Sequence, residues 1–266
     1  MHPQLYHRRT LLLAATSLPL LTAHAQVSDM GDAINKAGRQ RMLSQRMGKA
    51  WLALAHGIEK PMAQHVLDKS IALFDRQLLE LKAFASSPEI MATYNTLDAS
   101  WRAYQTALVV NAPARQNAAS MLQLNAGVLA LAHQGTQQFE AVQGKPLGKL
   151  VNIAGRQRML SQRMAMYYLA ARLPVESPVA IAEINKARGD FVGAMTYLRQ
   201  APQTTAAIQE QLQLADGQWV FFDAALKRTA TDDAGAVRAL SETFIASENL
   251  LAVMDRVTGM YSALKT

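Results

Sequence analysis

The sequence predicts an all-α protein: two tandem four-helix up-down bundles related by internal duplication. Three observations carry that reading. Apolar residues recur at three- and four-residue steps, as in Ile71, Phe74, Leu78 and Leu81, or Leu250, Leu251, Met254 and Val257, which is the spacing of one helix face. Mature prolines, at positions 61, 88, 113, 146, 174, 178 and 202, stand outside the strongly periodic segments, where they would break the hydrogen-bond ladder. Finally, the string AGRQRMLSQRM occurs at Ala37–Met47 and again, letter for letter, at Ala154–Met164.

Residues 1–25 read as a secretory signal: a basic start (His7, Arg8, Arg9), an apolar run from Leu11 to Leu21, then Ala23-His24-Ala25. The run is too short to span a bilayer. Arg8-Arg9 loosely resembles a twin-arginine signal, but a general secretory signal fits better, with cleavage after Ala25 and a periplasmic destination. Helices are then predicted over 29–57, 62–86, 88–110 and 114–142, and over 147–173, 178–200, 203–228 and 232–264. Lengths of about 20–30 residues with short links are those of antiparallel bundles.

The second four helices repeat the first. The identical blocks lie 117 residues apart, and Asn35 matches Asn152, Pro61 matches Pro178, Phe74 matches Phe191 and Leu81 matches Leu198 at that same offset. Trp101 and Trp219 follow at 118. Self-similarity at a fixed period marks a duplicated unit. The breaker cluster Gln143-Gly144-Lys145-Pro146 divides the chain into modules 26–144 and 145–266. Outside the block the copies have drifted apart. Packing alone tolerates volume-conserving swaps, so eleven literal identities point to a demand for particular side chains.

Composition closes several routes. There is no cysteine, which excludes disulfide scaffolds, thiolate zinc sites and thiol nucleophiles. No nucleophile motif, glycine-rich phosphate loop or Glu-x-x-His pair appears, so no enzymatic activity and no cofactor are expected. His56, His65 and His133 lack metal-ligand spacing, and the 13 methionines sit at core-type intervals. The net charge of +7 and pI near 9.7 suggest nucleic acid at first sight. No dense Lys/Arg tract with interleaved aromatics supports that. Much of the basic excess belongs instead to the two blocks, which hold six arginines and no acid.

On a helical wheel Ile34, Gly38, Arg41, Gln45, Gly48 and Leu52 share one face, as do Val151, Gly155, Arg158, Gln162, Ala165 and Leu169. Small residues flank each arginine and admit a second helix closely. No acid occurs between Asp32 and Glu59, or between Glu140 and Glu176, so no local i±3 or i±4 partner exists. If the two block helices pack about a pseudo-twofold axis, Arg41 and Arg158 converge into a site for a planar oxyanion. Gln45 and Gln162, or Asn35 and Asn152, can add neutral hydrogen bonds. The competing reading pairs each arginine with a carboxylate from another helix of its own bundle, and that reading is preferred for Arg39, Arg46, Arg156 and Arg163.

The stretches AINKAGRQRMLSQRM and LVNIAGRQRMLSQRM resemble the signature helix of the PilJ-type domain, found in the N-terminal sensor region of type IV pilus chemotaxis transducers. That domain is similar to the periplasmic sensor domain of NarX-type nitrate/nitrite sensors. The run Glu248 to Asp255 resembles the closing helix of such modules. In the nitrate sensors, paired helices from two subunits hold the anion through an arginine preceding a methionine. The resemblance implies that role for Arg41 and Arg158, which precede Met42 and Met159. Arg39-Gln40 and Leu43-Ser44-Gln45 depart from the nitrate sensors.

The expectation is a periplasmic binding or sensory protein that captures nitrate, nitrite or a small carboxylate near Arg41, Arg158, Gly38 and Gly155. It would report to a membrane-bound receptor or pilus component, without nucleic acid and without an integral membrane segment after cleavage. The alternative is an envelope interaction protein docking to such a component, with purely structural arginine helices.

Overall fold

A computed structural model describes residues 26–110, 112–173, 177–228 and 232–265. The expected signal sequence, 1–25, lies outside the described residues. Eight α-helices account for nearly all of the rest: α1 (Met30–His56), α2 (Lys60–Phe84), α3 (Pro88–Val109), α4 (Ala118–Gln143), α5 (Pro146–Ala170), α6 (Ser177–Gln200), α7 (Ala206–Leu226) and α8 (Asp233–Ala263). No strand occurs among the described residues.

The helix ends follow local chemistry. Asp29 caps α1 by accepting from the Asp32 amide at 2.8 Å, Ser87 caps α3 through the Ile90 amide, and Asp232 caps α8 through Gly235. Gly57 (φ 76°) ends α1, and Gly144 (φ 61°) ends α4 before Pro146 opens α5. Both glycines take the left-handed conformation that terminates a helix. Two starts differ from expectation. A 3-10 turn at Arg115–Asn117 delays α4 to Ala118, and α7 begins at Ala206 because the Thr205 hydroxyl takes up the Ile208 amide.

The two bundles meet along their first helices. The pair α1 and α5 forms the largest helix–helix interface among the described residues. On α1 lie α2 and α4, with α3 against α4; on α5 lie α6 and α8, with α7 against α8. In addition α8 reaches across to α1, and α4 to α5. The block helices are therefore surrounded on nearly every side. That is why they bury polar as well as apolar residues, including Gln40, Arg41, Ser44, Gln45 and Lys49 on α1.

The duplication is visible in the packing. Phe74 stacks on Trp101 with centroids 4.1 Å apart, and Phe191 stacks on Trp219 at 4.5 Å. The Gln40 amide donates to the Phe74 carbonyl, and Gln157 to that of Phe191. Ser44 and Ser161 each return a hydroxyl to the carbonyl three residues earlier, both at 2.8 Å.

Candidate functional site

The crossing of α1 and α5 is built on Gly38 and Gly155. A Cβ at Gly38 would stand 3.1 Å from Arg41 Nη2, 3.6 Å from Arg158 Nη2 and 3.9 Å from the Gly155 Cα. A Cβ at Gly155 would meet the same two guanidiniums, at 3.2 and 3.7 Å. The missing side chains let the helices touch and leave room for both arginines over the crossing. Arg41 and Arg158 thus converge, each fully buried.

Their partners recur about the pseudo-twofold. Arg158 Nη2 donates to the Asn35 carbonyl at 3.0 Å, and Arg41 Nη2 to that of Asn152 at 3.3 Å. Asn35 then donates to Ser262 on α8, and Asn152 to Glu140 on α4. Gln162 donates to the Ser247 carbonyl, Gln45 to the Asn125 side chain at 2.7 Å. Each contact carries an offset of 117 on the block helix and 122 on the closing helix, so α8 matches α4 with a five-residue shift.

Within that symmetric frame the chemistry differs. Arg158 Nη1 donates to Asp255 at 2.5 Å, and the same oxygen accepts from Arg39 at 2.9 Å. The counterpart of Asp255 on α4 is His133, whose Nδ1 lies 3.2 Å from Arg41 Nη1. Arg41 also donates to Asn152 Oδ1 at 2.7 Å. Among the described residues all of its direct partners are neutral; Glu140 is reached only through the Asn152 amide. Burial, then Arg158 and Arg156, pull the Arg41 guanidinium down to about 9, against Glu140 and Tyr94. Burial takes Arg158 to about 10 while Asp255 opposes it. Asp255 is held at about 2, since Arg158 and Arg39 outweigh its desolvation. His133 falls to about 4 through burial and the two cations Arg41 and Arg156, so its imidazole is neutral at pH 7.

Of the residues read from sequence, Arg41, Arg158, Gly38, Gly155, Asn35 and Asn152 come together at the crossing. Gln45 and Gln162 do not join them. One turn further along, their face is turned toward the closing helices, and α4 and α8 take up the amides. The other block arginines are ion-paired: Arg39 with Asp255, Arg46 with Glu248 at 2.5 Å, Arg156 with Asp190 and Arg163 with Glu183, both at 2.7 Å. Arg39 and Arg46 take their acids from the opposite bundle, so these pairs also tie the two copies. Sequence reasoning did not name His133, Asp255 or Glu248 as partners: helix spacing identifies partners only within one helix, and Arg39 and Arg46 find their acids in the other bundle, not in their own.

Family comparison follows the same two units. Residues 23–127 and 141–244 each match the family described as type IV pili methyl-accepting chemotaxis transducer N-term. The chain belongs to the PilJ family. No curated protein and no solved structure matches it. The PilJ assignment makes this a sensory domain of chemotaxis-transducer type, carried in two copies. Both matched spans stop early in the closing helices. His133, Glu140, Glu248, Asp255 and Ser262, residues that set the two arginine environments apart, lie beyond them. Among the described residues no helix is long and apolar enough to cross a membrane, and no three His, Asp or Glu side chains gather as a metal cluster.

Proposed function

We propose that this PilJ pair is an extracytoplasmic sensory module that captures a small oxyanion, such as nitrate, nitrite or a carboxylate, at Arg41, and reports its state to a receptor partner. One observation carries the reading: Arg41 is fully buried beside a second guanidinium and bonds directly only to neutral groups. A buried cation without a directly bonded counter-charge costs several kcal/mol, a cost that an arriving anion offsets. In a chain with both copies fused, α1 and α5 form in one polypeptide the kind of paired interface that two subunits would otherwise supply. The Asn152 amide aims Arg41 across the helix crossing, and Gly38 and Gly155 keep the crossing close.

The test is thermal unfolding of the mature chain with nitrate, nitrite and small carboxylates. An anion that binds only the native state stabilises it by about 2.7 kcal/mol at a hundredfold excess over its Kd, a rise of about 5–10 °C for a chain of this size. The rise should vanish in Arg41→Gln. No rise with any anion, in protein shown to be folded, discards the proposal.

A further inference from the structure

The broken symmetry at Arg41 and Arg158 extends outward to the surface. Beside Arg41 a groove of about 300 Å³ runs between α4, α5 and α6, with His133, Arg156 and Arg163 among its lining residues. Its floor is apolar, from Leu129, Met159 and Leu160. In the groove Arg156 and Arg163 take Asp190 and Glu183 from α6, whereas at the symmetry-related place, between α8, α1 and α2, the acids come from the closing helix α8. There Asp255 bridges Arg158 and Arg39, and Glu248 bridges Arg46 and Lys49. At the corresponding positions of α4 stand His133 and Ala126.

The closed side is a template for what the open side can hold. Asp255 shows a carboxylate bound jointly by the buried arginine of one copy, Arg158, and by the arginine two places earlier in the block of the other copy, Arg39. The equivalent pair on the open side is Arg41 and Arg156. Between them stands His133, and Arg41 fixes its tautomer. A guanidinium only donates, so Nδ1 must accept and the proton sits on Nε2. That N–H is the ring's remaining donor. Arg156 is 44% exposed and paired with Asp190 at the groove rim, so a ligand carboxylate there would compete with or share that ion pair.

Building on the anion-capture reading, we propose that this groove binds a small monocarboxylate with an apolar body. Its carboxylate accepts from the His133 Nε2–H and from Arg156, with Arg41 behind the imidazole as the buried counter-charge. The apolar part lies on Leu129, Met159 and Leu160. Among the described residues there is one such site, because Asp255 and Glu248 stand at its counterpart. The groove volume falls at the lower end for small-molecule pockets, which suits acids the size of benzoate or 3-methylbutanoate.

Calorimetric titration of the mature chain with benzoate, 3-methylbutanoate, nitrate and the neutral benzamide tests this. Expected is one carboxylate per chain, no binding of benzamide, and affinity at least about tenfold weaker in Arg156→Gln, the loss of one charge-assisted hydrogen bond. His133→Asp, which copies the Asp255 arrangement, should abolish binding while the melting temperature holds or rises. If that variant fails to fold, the exposed Arg156→Gln decides alone. Binding of both carboxylates unchanged in Arg156→Gln overturns the proposal. Nitrate binding that is lost in Arg41→Gln, with no carboxylate bound, overturns it while leaving the anion-capture reading intact. Silence from every anion overturns both.

Discussion

Replacing Glu248 by Gln should cost about 3 kcal/mol at pH 7. Glu248 Oε1 lies 2.7 Å from the ammonium of Lys49, which is completely buried, and its other oxygen pairs with Arg46. Lys49 otherwise has the Ser247 hydroxyl at 2.8 Å and the Phe244 ring at 4.4 Å. Burial raises the carboxyl of Glu248, but Lys49 and Arg46 win and hold it at about 2 against an ordinary 4.5. Gln mimics the protonated acid, and each tenfold change in proton affinity is worth about 1.4 kcal/mol, which gives that magnitude. It agrees with the lower end of what breaking a buried pair costs. The sign with pH follows. A depressed carboxyl stabilises above its unfolded value and loses that contribution as pH falls toward 2. On the alkaline side Lys49, pulled to about 8 chiefly by desolvation, sheds its proton, and the attraction fades. The gap between wild type and Glu248→Gln should therefore be widest near pH 5–7 and narrow in both directions. Differential scanning calorimetry should give a melting temperature lower by about 6–12 °C at pH 7. A loss below about 1 kcal/mol there, or a gap that does not change between pH 3 and pH 9, refutes the reasoning.

Four further outcomes are expected. Gly135→Ala should lower stability by about 1–3 kcal/mol in urea titration despite better helix propensity, because the new methyl would meet the buried Tyr94 ring at 2.9 Å. His133, with its folded value lowered to about 4, binds fewer protons than the unfolded chain between pH 4 and 6.5, so it costs stability as pH falls through that window; His133→Asn should flatten the acid slope of the urea midpoint there. Arg41→Met should leave stability within about 1 kcal/mol or raise it, since a buried cation with no directly bonded counter-charge is replaced by packed apolar surface. Arg158→Met, by contrast, should lower the melting temperature, because Asp255 keeps only Arg39.

Much of this was legible in the chain itself. Periodicity and proline placement marked all eight helices within a few residues, since helix interiors and breakers are local properties. The missed starts at Ala118 and Ala206 turned on a 3-10 turn and on the Thr205 hydroxyl, which periodicity does not encode. The convergence of Arg41 and Arg158 followed from Gly38 and Gly155, because only glycines permit that approach. What stayed hidden was the identity of each arginine's partner. Asp255 and His133 lie far along the chain from Arg158 and Arg41, and their equivalence depends on a shift from 117 to 122 that separates the block helices from the closing ones. Comparing the closing helices at the block's own offset aligns Asp255 with Gln138 and conceals the relation.

The contrast between rigid identity in the block and divergence around it has a physical source. The block lies at the centre, where α1 and α5 face one another, and its residues work on both sides of the axis. Gly38 and Gly155 each make room for both arginines, Asn35 and Asn152 each receive the opposite guanidinium, and Arg39 and Arg46 reach into the other bundle. A change in one copy is felt by the other. The closing helices α4 and α8 lie off the axis, each flanking its own arginine, and so can differ. In a homodimer both flanks come from one sequence, and any acid that neutralises one arginine neutralises both. Duplication within a single chain removes that constraint. It allows Asp255 and Glu248 to brace one side as internal ion pairs while His133 and Ala126 leave Arg41 with neutral partners on the other.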